Sequence, residues 1–334
     1  MSDLLKSYRF REEREADWER LDLILKRAER RGVKALSNEE MLALPRLYRQ
    51  AVSSLSVARA ISLDQNVISY LETLCTKAYF FVYGTRTTLG ERIAAFFRKD
   101  WPDAVRAAWR PTLLSAACLF GAGAIAFILC MIDMDWFWSL HAPGLTGERT
   151  PDATTEYLRS TLYSDANDDE GFLTAFAAQL FSHNSGIALF AFALGFMFGA
   201  PTALLLAYNG VVLGSFYALF WSRGLGYELT GWLLIHGVTE LFAIVLAGAA
   251  GFMIGGAAAF PGEKSRMASA RDTGQSAALV AVGAVVMLFF AALLEGFGRQ
   301  LINSDVIRYG IAGATAAIWG LYFYMPRQHD RAPE

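Results

Sequence analysis

Residues 227–262, YELTGWLLIHGVTELFAIVLAGAAGFMIGGAAAFPG, constrain the fold more than any other stretch. As one helix, residues 227–260 would run roughly 50 Å at about 1.5 Å per residue. A bilayer's hydrocarbon core is about 30 Å thick. Strong tilt, a break at one of the glycines, or extension beyond the membrane must absorb the difference. The run also holds two ionisable residues, His236 and Glu240. A charge at bilayer depth costs about 2.5–3.5 kcal/mol on insertion scales. The two lie at i and i+4 and so share a helix face. That face continues through Ala243, Ala247, Gly251 and Gly255. A polar pair above a stripe of small residues describes a surface turned into a bundle, hidden from lipid.

The rest of the chain divides by charge. Of its 334 residues, 54% are hydrophobic, above the roughly 45–50% of a soluble domain, and the mean hydropathy is +0.30. Most Lys and Arg fall in residues 1–110 and the apolar runs follow. An all-α, polytopic membrane protein with an N-terminal cytosolic helical domain is expected. The net charge of −2 carries no nucleic-acid signal, so the bilayer is the expected partner surface and nucleic acid is not. Cys75, Cys118 and Cys130 lack metal-site spacing and read as packing residues. The first 30 residues are too charged for a signal peptide, which leaves the first span as an internal targeting element.

In residues 1–110, three helices are expected. Trp18, Leu21, Leu25 and Ala28 share one face of the first, which Gly32 ends. Ser37 and Glu40 form a capping box that opens the second, carrying Met41, Leu44, Leu47, Tyr48, Ala51 and Leu55. Ile68, Leu71, Leu74, Cys75 and Ala78 mark the third. Residues 91–110 alternate apolar and aromatic residues with Arg and Lys, as in a helix lying in the membrane interface and broken by Pro102.

Residues 111–326 form the expected transmembrane domain. Six spans are assigned: 111–132, 184–208, 209–221, 229–260, 276–297 and 306–325. The acidic loop 133–183 is placed outside, with a short interfacial helix at 171–181. The N-terminal domain and the tail 327–334 are placed in the cytoplasm. Residues 261–275 are cation-rich and also inside, so residues 209–221 count as a span of their own rather than a re-entrant hairpin. Ala191, Gly195 and Gly199 form a second small-residue stripe, with Pro201 expected to bend its helix. Ala247, Gly251 and Gly255, on the face already described, form the other. Such stripes suit packing within one chain or a homo-oligomer equally.

Three readings of His236 and Glu240 compete. They satisfy each other and a neighbour such as Asn184 or Asn209 in a structural node. They form a proton- or cation-responsive site on a transport path. Or they bind metal, although H-G-V-T-E lacks the two-histidine H-E-x-x-H pattern, so no metal is assigned. His183 lies near the membrane edge, and His141 and His329 have no evident place in such a site. Glu295 reads as a snorkelling side chain or a partner of Arg299. There is no P-loop, no G-x-S-x-G and no dinucleotide turn. No catalytic residue and no cofactor is expected.

Several residues in order carry a resemblance: Asn184 opening a span, Pro201-Thr202, Asn209-Gly210 with Gly214, His236-Gly237 with Glu240, Ala247 to Gly251, and Pro261-Gly262. Over about residues 110–325 the chain resembles the stage II sporulation protein M family of integral membrane proteins. The region of Trp18, Leu21 and Tyr48, with residues 55–59, is similar to the cytosolic extension of members outside spore formers. The resemblance implies a non-enzymatic inner-membrane protein. The namesake is a membrane anchor that recruits peptidoglycan hydrolases during engulfment. Members with the extension are often encoded beside a MoxR-type ATPase and an RDD-domain membrane protein, which implies an assembly or envelope-stress role. The leading expectation is a scaffold that docks membrane or envelope proteins. A transporter or channel using His236 and Glu240 is the alternative.

Overall fold

The computed structural model describes residue 8 and residues 10–32, 35–61, 64–83, 88–141, 147–163, 170–298 and 302–325. Among these residues there is no strand. The chain separates into two compact units, Met1–Glu91 and Arg92–Glu334. The boundary falls before the segment expected at the membrane interface, about twenty residues earlier than the composition suggested. Apolar residues in that segment belong to the second unit's core.

In the first unit, α1 (Glu15–Arg31), α2 (Asn38–Ala60) and α3 (Gln65–Tyr83) bury the faces their period marks out. Trp18, Leu21, Leu25, Leu44, Leu47, Ala51, Leu71 and Leu74 form one cluster. Met41 stays exposed. Gly32 leaves α1 at φ 76. Ser37 accepts from the Glu40 amide while the Glu40 carboxylate accepts from the Ser37 amide, so two orphan donors of α2 are satisfied reciprocally.

The boundary falls inside α4 (Leu89–Ala95), which is followed in the second unit by a π-helical turn (Phe96–Asp100) and α5 (Trp101–Ala107). Pro102 does not break this segment. It sits in the first turn of α5 just after the π turn, where a missing N–H is tolerated. Trp101, Ala104 and Val105 are buried, and Trp101 lies among the rings of Phe96, Trp319, Tyr322 and Phe323. The interface helix therefore divides, with α4 lacking buried residues and α5 wedged into the core.

Among the described residues, five helices are long and apolar enough to cross a membrane: α6 (Trp109–Ile132), α10 (Ala200–Ser222), α11 (Gly226–Ala259), α12 (Arg266–Leu293, continued by a π turn, Leu294–Gly298) and α13 (Asp305–Tyr324). The short helices α7 (Asp135–Leu140) and α8 (Thr155–Ser160) follow α6. Then α9 (Glu170–Ala193) is helical throughout, with a shorter apolar part at Phe181–Phe196. Residues 171–181, expected as a separate helix, are the start of α9.

The expected spans 184–208 and 209–221 are not the observed elements. The break falls at residues 194–199, where a 3-10 turn leads into Phe198 at φ 60 and Gly199 at φ 77. Glycine alone tolerates that second position without strain. Pro201 follows within the first turn of α10, where proline is at home rather than a bend. Asn209-Gly210 does not interrupt α10. The Asn209 side chain donates to the Leu205 carbonyl one turn back, at 2.8 Å. Gly210 is needed for another reason: a Cβ there would lie 2.0 Å from the Leu119 carbonyl oxygen of α6. The long α11 runs unbroken for 34 residues.

The two small-residue stripes meet. A Cβ on Gly195 would lie 2.2 Å from the Gly251 carbonyl oxygen, and one on Gly255 would lie 2.5 Å from the Gly199 amide nitrogen. Backbone therefore touches backbone where α9 and its terminal turn cross α11. Thr202 also donates to the Ala191 carbonyl at 2.7 Å, tying the start of α10 to the end of α9.

Candidate functional site

Helical spacing on α11 puts His236 and Glu240 one turn apart on one face. His236 is 4% exposed and Glu240 is half-buried. The third member comes from another helix. Glu295, 7% exposed, sits in the π turn that ends α12. Its Oε1 lies 3.8 Å from His236 Nε2. One ligand-type atom from each of His236, Glu240 and Glu295 lies within 4.8 Å of the others. Glu295 is the residue that sequence reasoning placed elsewhere. Its expected partner, Arg299, lies outside the described residues, as does His329.

Neighbouring contacts orient the triad's helices. The Trp232 ring stands edge-on to the His236 imidazole, with centroids 6.1 Å apart. Thr239 accepts from the Trp319 indole at 3.0 Å, holding α11 to α13. An imidazole and two carboxylates in this arrangement can share a proton or hold a cation.

Glu240 also lines a cavity of about 300 Å³. Asn184 and His183 of α9, Asn209 of α10, and Arg149 from the connection before α8 share its wall. The structure thus brings Glu240, Asn184 and Asn209 to one chamber, while His236 pairs with Glu295. The Asn209 amide is already engaged within its own helix. Arg149 lies over the Trp232 ring at 5.2 Å and donates to the Thr161 carbonyl at 3.1 Å. Desolvation pushes its guanidinium below the usual arginine value. His141 belongs elsewhere: its Nδ1 is 2.9 Å from the Phe137 carbonyl oxygen and its Nε2 faces the Ser215 hydroxyl at 3.4 Å.

The α11 wall of the cavity extends from Leu229 to Ile244. Beyond that, Ala247, Gly251 and Gly255 are buried, the last two against the Ala191 carbonyl and the Gly199 amide. A second hollow of about 420 Å³, almost wholly apolar, lies between α6, α10 and α11 and shares Leu213, Tyr217, Leu233 and Leu241 with the first.

Fold and site together define a multi-pass α-helical membrane protein in which His236, Glu240 and Glu295 converge between helices. The family model for stage II sporulation protein M matches residues 112–298, over half of the chain, and the chain belongs to that family. A second family model, a domain of unknown function (DUF8413), matches residues 8–84, which fall within the first compact unit. No curated protein and no solved structure matches the chain.

Proposed function

We propose that the protein is a non-enzymatic inner-membrane scaffold whose N-terminal helical unit and connecting loops dock other membrane or envelope proteins. The observation that carries this reading is the backbone-to-backbone packing of α11 at Gly251 and Gly255 against the end of α9 and the turn after it. Helices locked together at glycine contacts suit a rigid frame better than a conduit. The first unit adds exposed apolar residues, among them Leu23, Met41, Leu42 and Phe80, outside its own core. Family membership adds the example of the namesake, with peptidoglycan hydrolases or a MoxR-type ATPase system as the partner classes to test. The Lys and Arg excess in residues 1–110 and 261–275 supports cytoplasmic termini in a bacterial inner membrane. Affinity purification of the full chain in mild detergent should recover stoichiometric membrane or envelope partners. Recovery of the chain alone, together with solute flux in liposomes, would overturn the reading.

The triad favours a second reading, transport of protons or cations through a state in which the helices around the cavity part. Intramembrane ionisable clusters mark such paths. Under that reading Glu240→Gln abolishes flux and leaves thermal unfolding near wild type. A variant that unfolds, or flux that persists, would count against it.

A further inference from the structure

We propose that His236, Glu240 and Glu295 form a binding site for one divalent transition-metal cation of the zinc class. The site does not depend on whether the chain docks partners or transports a solute.

The donor set is the first support. One imidazole and two carboxylates suit zinc and its first-row neighbours, whereas all-oxygen sets suit magnesium and calcium. Geometry is the second. Zinc bonds of about 2.0–2.2 Å put tetrahedral ligand atoms roughly 3.3–3.6 Å apart. His236 Nε2 and Glu295 Oε1 stand at 3.8 Å, and the whole set lies within 4.8 Å. Rotation of the glutamate side chains, without backbone movement, spans that difference.

Placement is the third. The i, i+4 pair is fixed on a long helix, and the π turn places Glu295 opposite it. Single π turns inside helices recur at functional sites. Glu240 faces both ways, toward the triad and into the cavity, so a three-ligand ion would keep an open coordination position facing the cavity. Electrostatics is the fourth. Two carboxylates held this close in a low-dielectric interior repel each other, and a divalent cation offsets that repulsion.

The test uses the full-length protein in detergent, stripped with EDTA and titrated with zinc or cobalt. One zinc ion per chain is expected. Cobalt loading should give the visible d–d absorption of a four-coordinate ion. Glu295→Gln should weaken zinc binding by more than the roughly 10–100-fold carried by the outer partners of metal ligands. Glu263→Gln, which removes an exposed carboxylate that neither lines the cavity nor belongs to the triad, should leave binding at wild-type strength. Failure of the wild-type chain to bind one ion would overturn the proposal. So would equal binding by wild type and Glu295→Gln, or a loss confined to Glu263→Gln. If Glu295→Gln does not fold, protection of His236 from diethylpyrocarbonate by zinc in the wild-type chain decides, and unchanged modification of His236 overturns the site.

Discussion

Replacing Gly214 by alanine tests whether the bundle is held by backbone contact between α6 and α10. A Cβ at Gly214 would stand 1.9 Å from the carbonyl oxygen of Gly123 and 2.6 Å from its carbonyl carbon. Ordinary contact begins at 3.4 Å, so the methyl falls about 1.5 Å short of the room it needs. The obstacle is main chain in the middle of a helix, which cannot rotate aside. The helices must separate, losing dispersion contacts and the weak Cα–H···O interactions that close glycine crossings allow. Overpacking of this kind costs typically about 1–3 kcal/mol and occasionally more. Alanine returns about 1 kcal/mol through helix propensity. A net loss of up to about 2 kcal/mol should lower the unfolding temperature by up to about 8 °C, at about 2–4 °C per kcal/mol for a unit this size. Gly256→Ala is the matched control. It lies in the interior of α11 with nothing within 4 Å of the added carbon, and it should melt at or slightly above wild type. Thermal unfolding of the purified variants in one detergent, followed by tryptophan fluorescence, reads both. Equal melting of Gly214→Ala and Gly256→Ala would refute the reasoning.

Other substitutions probe other links. Arg308 is fully buried and donates to the Leu162 and Ile302 carbonyls at 2.9 and 2.7 Å, beside Asp305 at 3.4 Å. Arg308→Ala should cost about 3–5 kcal/mol and speed proteolysis within residues 147–163, whereas unchanged proteolysis would show that this connection is held elsewhere. Burial pushes the Cys75 thiol from its usual value near 9 up to about 11. The neutral thiol is the form the fold favours, so that stabilisation is complete below pH 9 and lost as pH rises through 11. Chemical denaturation of the first unit should therefore weaken across that window in wild type and less steeply in Cys75→Ala; identical slopes would exclude the thiol as the cause. Ser37→Ala removes the cap of α2 and should cost about 1 kcal/mol, visible as faster amide exchange in the first turn of that helix, and unchanged exchange would mean the cap contributes nothing.

Much of the fold was legible because the period of apolar residues is a direct consequence of burial. The inward faces of α1 and α3 and the two small-residue stripes, at 191–199 and on α11, could be read from spacing alone; that the stripes meet each other could not. The span boundaries between 184 and 222 could not, because the same residue types serve two purposes. Asn209-Gly210 is a turn signal in a soluble chain. Inside α10 the asparagine bonds back to its own helix, and the glycine admits the α6 backbone. The informative signal was Phe198-Gly199-Ala200-Pro201, a left-handed glycine followed by a first-turn proline, which marks the start of a helix. Arg308 was missed for a related reason. It falls inside an apolar run, and its partners are carbonyls of a connection far away in sequence.

The candidate site divides along the same line. His236 and Glu240 were visible as a pair because both lie on one helix, where spacing dictates facing. Glu295 was not, because a π turn shifts the register of everything after it and leaves no periodic trace. A physical rule would still have singled it out. An acid within an apolar run calls for an intramembrane partner before it calls for snorkelling, and LLEGFG sets the carboxylate between bulky apolar residues and a glycine. The consequence for α11 is a division of labour along its 34 residues. Its C-terminal half is close-packed along the face of Ala247, Gly251 and Gly255. Its N-terminal part borders the cavity from Leu229 to Ile244. His236 and Glu240 lie where one regime gives way to the other, on a helix clamped by the glycine crossings at one end and by the Tyr309 hydroxyl on the Tyr227 carbonyl at the other. A carboxylate and an imidazole fixed at that junction can meet Glu295 in one geometry only if both clamps hold. Loosening the distant glycine contact should therefore weaken whatever the triad binds.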